Sequence, residues 1–197
     1  ELLDDADESV SCLRSVLDDS TGDEDVSIRL EGLLGREGRW EEVLEVLEDR
    51  EQGLADALAK EQVEVQIGQI LDQKLGQSDE AIERYAEVLR RMPSMDSARD
   101  ALEELAIRPG YEETASGVLE AYYRENESWG ELIRVNEAQF LRLDDPYERQ
   151  NLLKGMARVQ EVSLGHQAGA FDSLSKALGE TACEPETLAE LDRLAEG

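Results

Sequence analysis

The chain has 197 residues, 35% of them charged and only 5% aromatic, and its 48 acidic against 20 basic side chains leave a formal charge of −28. So acidic a surface repels nucleic-acid phosphates and anionic lipid headgroups, and it favours a basic protein or peptide as partner. No apolar run is long enough for a membrane span or a leader core, and 15 Gly and 4 Pro are too few for a fibrous or low-complexity chain.

Apolar spacing of three and four runs through the whole chain, which predicts an all-α protein. Val10, Leu13, Val16 and Leu17 mark a first helix, and Asp18 to Asp25 reads as a polar loop. Ile28, Leu30, Leu33 and Leu34 mark a second helix, punctuated by Gly35 and Gly38. Trp40 opens a third with Val43, Leu44, Val46 and Leu47; a long fourth runs from about Leu54 to Leu75 and ends at Gly76. Ser78 reads as the N-cap of a fifth helix, with Asp79 and Glu80 at the positive end of its dipole and Pro93 closing it. Ala98, Ala101, Leu102 and Leu105 give a sixth. Further helices are expected near 111–125, 128–143, 146–164, 167–179 and 185–196, about eleven in all, and their short connections imply sequential antiparallel packing.

A single ungapped offset of 89 residues superposes much of this pattern on itself. It brings Trp40 onto Trp129, Gly76 onto Gly165, Leu30 onto Leu119, Leu44 onto Ile133, Ala81 onto Ala170, Ile82 onto Phe171 and Leu102 onto Leu191. The chain therefore reads as a duplicated multi-helix unit, 22–110 and 111–197, preceded by the end of a third at 1–21. Glu1 and Gly197 each lie at or beside a helical segment, so a piece of a longer protein is expected.

The stretch Gly76 to Pro93 carries a turn glycine, a small residue at Ala81, an aromatic at Tyr85 and a closing proline, in the spacing of the second half of a tetratricopeptide repeat. Ile67-Gly68 is similar to the Leu-Gly pair of that motif's first helix. The spacing from Leu71 to Gly76 is one residue longer than the consensus, and the second copy has Ala157 for Gly68, Leu174 for Tyr85 and Ala182 for Pro93. The chain thus resembles a relative of the tetratricopeptide family more than a standard member. The resemblance implies a right-handed superhelix of stacked helix pairs, and a scaffold or adaptor that holds a peptide or protein in a groove.

Few residues suggest chemistry. His166 is the only histidine and sits after Gly165 as a loop residue, too isolated for a zinc site. The acidic run Asp18 to Asp25 has Gly22 out of register for a calcium loop. No nucleophile-elbow, phosphate-loop or dinucleotide motif is present, so neither an enzyme, a metal nor a cofactor is expected. Cys12 and Cys183 lie near opposite ends, which argues against a disulfide and for small core residues. Trp40 and Trp129 are read as aromatics locking their helix pairs. Charge is uneven: residues 1–49 hold 4 basic and 17 acidic side chains, whereas 134–158 hold 5 and 4. Within that second segment Asn151, Lys154 and Arg158 share a helical face, and with Arg134 they form a candidate clamp for a partner's carboxylate; in the resembled family, such residues on the groove-lining helix can clamp a peptide carboxylate. The expectation is a bacterial, cytoplasmic interaction scaffold, with self-assembly through open repeat ends and a regulatory domain of a larger protein as alternatives.

Overall fold

The computed structural model describes residues 2–19, 24–181 and 184–196, and among them the chain is all-helical, with eleven α-helices and no strand. The helices are α1 (Leu2–Asp19), α2 (Glu24–Arg36), α3 (Trp40–Gly53), α4 (Ala57–Ile70), α5 (Ser78–Arg91), α6 (Asp96–Leu105), α7 (Glu112–Glu125), α8 (Trp129–Phe140), α9 (Pro146–Arg158), α10 (Gln167–Glu180) and α11 (Pro185–Glu196). The chain divides into two compact units, Glu1–Leu105 and Ala106–Gly197. Within each, every helix packs on the next: α1 through α6 in the first unit and α7 through α11 in the second.

The 89-residue spacing recurs in the backbone. α5 and α10 coincide end for end at that offset, and α6 and α11 start together. Asp56 and Asp145, equivalent positions, are both N-caps: each carboxylate accepts a 2.9 Å hydrogen bond, from the Ala59 N–H and the Tyr147 N–H respectively. α4 and α9 both pass into a π-turn, Leu71–Leu75 and Val159–Ser163. That turn absorbs the additional residue between Leu71 and Gly76. It closes on glycine with φ +69° at Gly76 and +62° at Gly165, where the Gln77 N–H donates to the Leu71 carbonyl at 2.8 Å and the His166 N–H to the Gln160 carbonyl at 2.7 Å. This seven-to-one bond over a left-handed residue is one residue wider than the usual six-to-one closure, as the π-turn requires, and it ends the helix without leaving its last carbonyls bare.

The turns between α2 and α3 and between α7 and α8 use the six-to-one form of the device with different chemistry. Gly38 has φ +71°, and its counterpart Glu127, at +55°, is the one non-glycine residue with positive φ among the described residues. Both precede the same bond, the Arg39 N–H to the Leu34 carbonyl at 3.0 Å and the Ser128 N–H to the Tyr123 carbonyl at 2.8 Å. Ser78 departs from expectation. Gln77 holds the cap position without a side-chain bond, while Ser78 is already helical, buried, and donates its hydroxyl to Asp72 at 2.6 Å.

Apolar residues at three-and-four spacing fill both cores. Leu30, Leu34, Leu47, Ile67, Ile82, Tyr85 and Val88 are at most 1% exposed in the first unit, as are Leu119, Leu132, Ala170 and Ala177 in the second; each large aliphatic among them contributes about 2 kcal/mol of burial. Gly68 matters because of Tyr85: a Cβ at Gly68 would lie 2.6 Å from the Tyr85 Cε1 and 2.8 Å from its Cζ. The second unit has both changes together, Ala157 beside the smaller Leu174, and both are buried in one cluster with Ala170 and Leu191. Pro93 lies in the turn after α5, and Ala182 and Cys183 lie outside the described residues. Cys12 is exposed rather than in the core.

Candidate functional site

Each unit has a cleft, and the two share part of their lining by equivalent position, with α1 adding a wall in the first and α9 in the second. In the first, of about 630 Å³, α2 and α3 form the walls with Ser27, Asp49 and Arg50, Leu54 follows α3 at the rim, and α1 adds Arg14 and Leu17. In the second, of about 620 Å³, the lining is Glu112, Glu113, Ser116 and Glu120 from α7, Gln139 from α8, Arg142 and Leu143 after it, and Glu148, Asn151 and Leu152 from α9. Ser27 and Ser116, and Leu54 and Leu143, are equivalent pairs.

The electrostatics of the two clefts differ at several positions, among them Gly53 against Arg142, and most of all at the Arg50 pair. In the first, the Arg50 guanidinium donates to Glu31 at 2.6 Å and to the Gln66 amide oxygen at 2.9 Å, and both ends of the ion pair are mostly covered, at 12% and 17% exposure. Burial lifts the Glu31 carboxyl above its usual range against the pull of Arg50. In the second, Glu120 stands at the Glu31 position and burial lifts it likewise, opposed only by Arg124 four residues on. Gln139 replaces Arg50. The Glu120 Oε1 and Gln139 Oε1 atoms are both buried without a hydrogen-bond partner. Glu112, at the mouth, is held below the carboxylate range by backbone N–H groups, its own first and that of Gly110 after it, and by nearby Arg142. Arg149 stacks 4.2 Å from the Phe140 ring and is held by Glu180 at 2.8 Å.

The structure does not gather Asn151, Lys154, Arg158 and Arg134 into one place. Asn151 lines the second cleft. Lys154 and Arg158 line a separate groove with Glu161, Glu186 and Glu190. There Lys154 bonds Glu184, which also accepts from Thr187 at 3.0 Å and Gln150 at 3.5 Å, so the carboxylate that Lys154 holds belongs to its own chain. Lys154 and then Thr187 keep Glu184 below the usual carboxylate range. In the first unit the corresponding positions are Val65, Met95 and Ala98, all buried and apolar where the second unit has a polar network. Arg158 is exposed, and Arg134 pairs at 3.1 Å with Glu131 on its own helix.

Trp40 and Trp129 open α3 and α8 and are half-buried. The Trp40 ring lies over Gly35, and the Lys74 ammonium stands 5.2 Å from its centre; the position equivalent to Lys74 in the second unit is Ser163. His166 is exposed at the start of α10. Among the described residues no group of three His, Cys, Asp or Glu could hold a metal ion, and no helix is long and apolar enough to cross a membrane. The acidic run from Asp18 to Asp25 lies partly outside the described residues. No family model and no curated protein matches the chain.

The Glu31–Arg50 and Glu120–Gln139 contrast is invisible in the charge of whole segments and lies in single residues; it is legible in the sequence where each charged residue is set against its counterpart 89 positions on.

Proposed function

We propose that the chain is a tetratricopeptide-like interaction scaffold that binds a protein or peptide through basic side chains, and that it works as a binder rather than as an enzyme. The duplicated cleft carries this reading. A helical repeat that preserves its caps and a cleft of about 600 Å³ in each unit offers a docking point in each. The charge of −28 steers basic proteins towards such a surface and raises their association rate. A cytoplasmic setting without nucleic acid belongs to the same proposal. The test is affinity capture from source lysate at low and high salt, with cross-links mapped on the bait. Basic proteins lost at high salt and cross-linked near the clefts support the proposal; recovery of nothing beyond further copies of the chain overturns it.

One observation favours self-assembly as a second reading. Phe171 is 43% exposed where its counterpart Ile82 is 1% exposed, and Leu188 on the neighbouring helix is 40% exposed. A sedimentation coefficient that rises with concentration and persists in high salt would favour this reading; a monomer throughout would remove it.

A further inference from the structure

The two clefts serve as each other's control. Their frames share the buried serine, the rim leucine and the aspartate cap, and both keep the carboxylate, as Glu31 and Glu120. Only the first keeps its cation. Arg50 there satisfies Glu31 and Gln66 together. At the matching positions the second unit has Gln139 and Gly155, and a Cβ added to Gly155 would meet nothing within 4 Å. Both side chains that complete the arrangement are therefore shortened, while the acid they served remains.

What remains asks for a donor. The Glu120 Oε1 and Gln139 Oε1 atoms are acceptors, both buried and both without a partner. Glu120 is half-buried with one oxygen fully covered, and a covered carboxylate oxygen without a donor is a penalty that a cation bound there relieves. The chain's own cations leave it unmet among the described residues. Arg124 draws on Glu120 without forming an ion pair, Arg149 is committed to Glu180, and Arg142 at the rim acts on Glu112. A guanidinium carries five N–H donors in a planar fork and is weakly hydrated, so it can serve a carboxylate and an amide oxygen at once, as Arg50 does; an ammonium is a more strongly hydrated point charge.

We infer that the cleft at Glu120 and Gln139 is a receptor for an arginine side chain of a protein partner, which enters the place that Arg50 fills in the first unit. The inference rests on the scaffold reading and gives its partner a chemistry. Glu112, Glu113 and Glu148 at the mouth add attraction for the arriving cation.

The test titrates the isotope-labelled chain with N-acetyl-arginine amide, following backbone amide shifts, with the lysine and citrulline analogues as parallel arms. Saturable shifts are expected around Glu120, Gln139 and Gly155 and not around Glu31, with citrulline and lysine at least tenfold weaker. Gln139→Arg supplies the guanidinium from within; it should lower affinity for the probe at least tenfold and melt higher than the parent chain. Glu120→Gln, which keeps the shape of the site, should also abolish binding. Shifts that spread over both units without saturating, lysine binding as tightly as arginine, or a Gln139→Arg chain that binds unchanged would each overturn the assignment. In the capture experiment, a partner retained equally by the parent and Gln139→Arg chains overturns this inference and leaves the scaffold reading standing.

Discussion

Gly68→Ala should destabilise the protein although it replaces a helix-interior glycine. Elsewhere that exchange gains about 1 kcal/mol from backbone propensity. Here the new methyl would lie 2.6, 2.8 and 3.2 Å from three atoms of the Tyr85 ring. Normal contact needs at least 3.4 Å, so the ring must retreat by up to roughly 1 Å, and Tyr85 is 1% exposed with core on every side. Overpacking of this kind costs about 1–3 kcal/mol. The net loss expected is therefore about 1 kcal/mol, and the interaction between the two sites about 2 kcal/mol. The assay is a double-mutant cycle with Tyr85→Leu, by urea unfolding followed by helix circular dichroism. In the Tyr85→Leu background the obstruction is gone and Gly68→Ala should stabilise, as the pairing of Ala157 with Leu174 in the second unit suggests. If Gly68→Ala stabilised equally in both backgrounds, the ring would not be fixed against the glycine and the reasoning would fail.

Three further outcomes are expected. Glu127→Gly should stabilise by about 1 kcal/mol by relieving a left-handed backbone, while Gly38→Ala should cost about as much; equal unfolding midpoints would refute both. Glu120 has its carboxyl raised by burial, so its native state favours the proton. Its contribution is therefore full below its ordinary value of 4.5 and is lost as pH rises through the raised value. Glu120→Gln should accordingly raise the melting temperature at pH 7 and lose that advantage below about pH 4.5, read by thermal scans across pH. Glu184 has the opposite sign: held low by Lys154, it stabilises above 4.5 and that contribution disappears as pH falls through the depressed value. Lys154→Met should therefore flatten the acid limb of the melting curve relative to the parent, and an unchanged limb would remove Lys154 from the network.

The fold was legible because its determinants are local. Three-and-four apolar spacing marks out eleven helices, and Gly76, Gly165 and Pro93 fall in the turns between them, since a left-handed residue or a missing N–H stops a helix wherever it stands. Other features depended on a partner that local pattern cannot see. Ser78 has the composition of a cap, yet its hydroxyl goes to Asp72 and it sits inside the helix. Glu127 gives no local sign of a left-handed backbone; only its equivalence with Gly38 does. Lys154 and Asn151 share a helical face in the sequence, but Glu184 arrives from thirty residues away to claim the lysine. Cys12, expected in the core as a small residue, is exposed because it faces outward from α1.

A duplicated chain carries its own record of which residues depend on each other. Gly68 with Tyr85 becomes Ala157 with Leu174, so volume given up at one position is taken at the other. Val65, Met95 and Ala98 become Lys154, Glu184 and Thr187, so a charge enters this partly covered position in the company of its counter-charge and a hydroxyl donor. Both exchanges leave the unit internally satisfied, as folding stability requires of buried groups. Arg50 to Gln139 breaks that rule, because Glu31 persists as Glu120 while its cation does not. Drift at a purely structural site would favour loss of the acid along with the base, since a half-buried carboxylate with a covered, unpartnered oxygen weakens the fold that holds it. Its retention beside an open cleft is what a fold gives up in stability when the missing cation comes from another molecule.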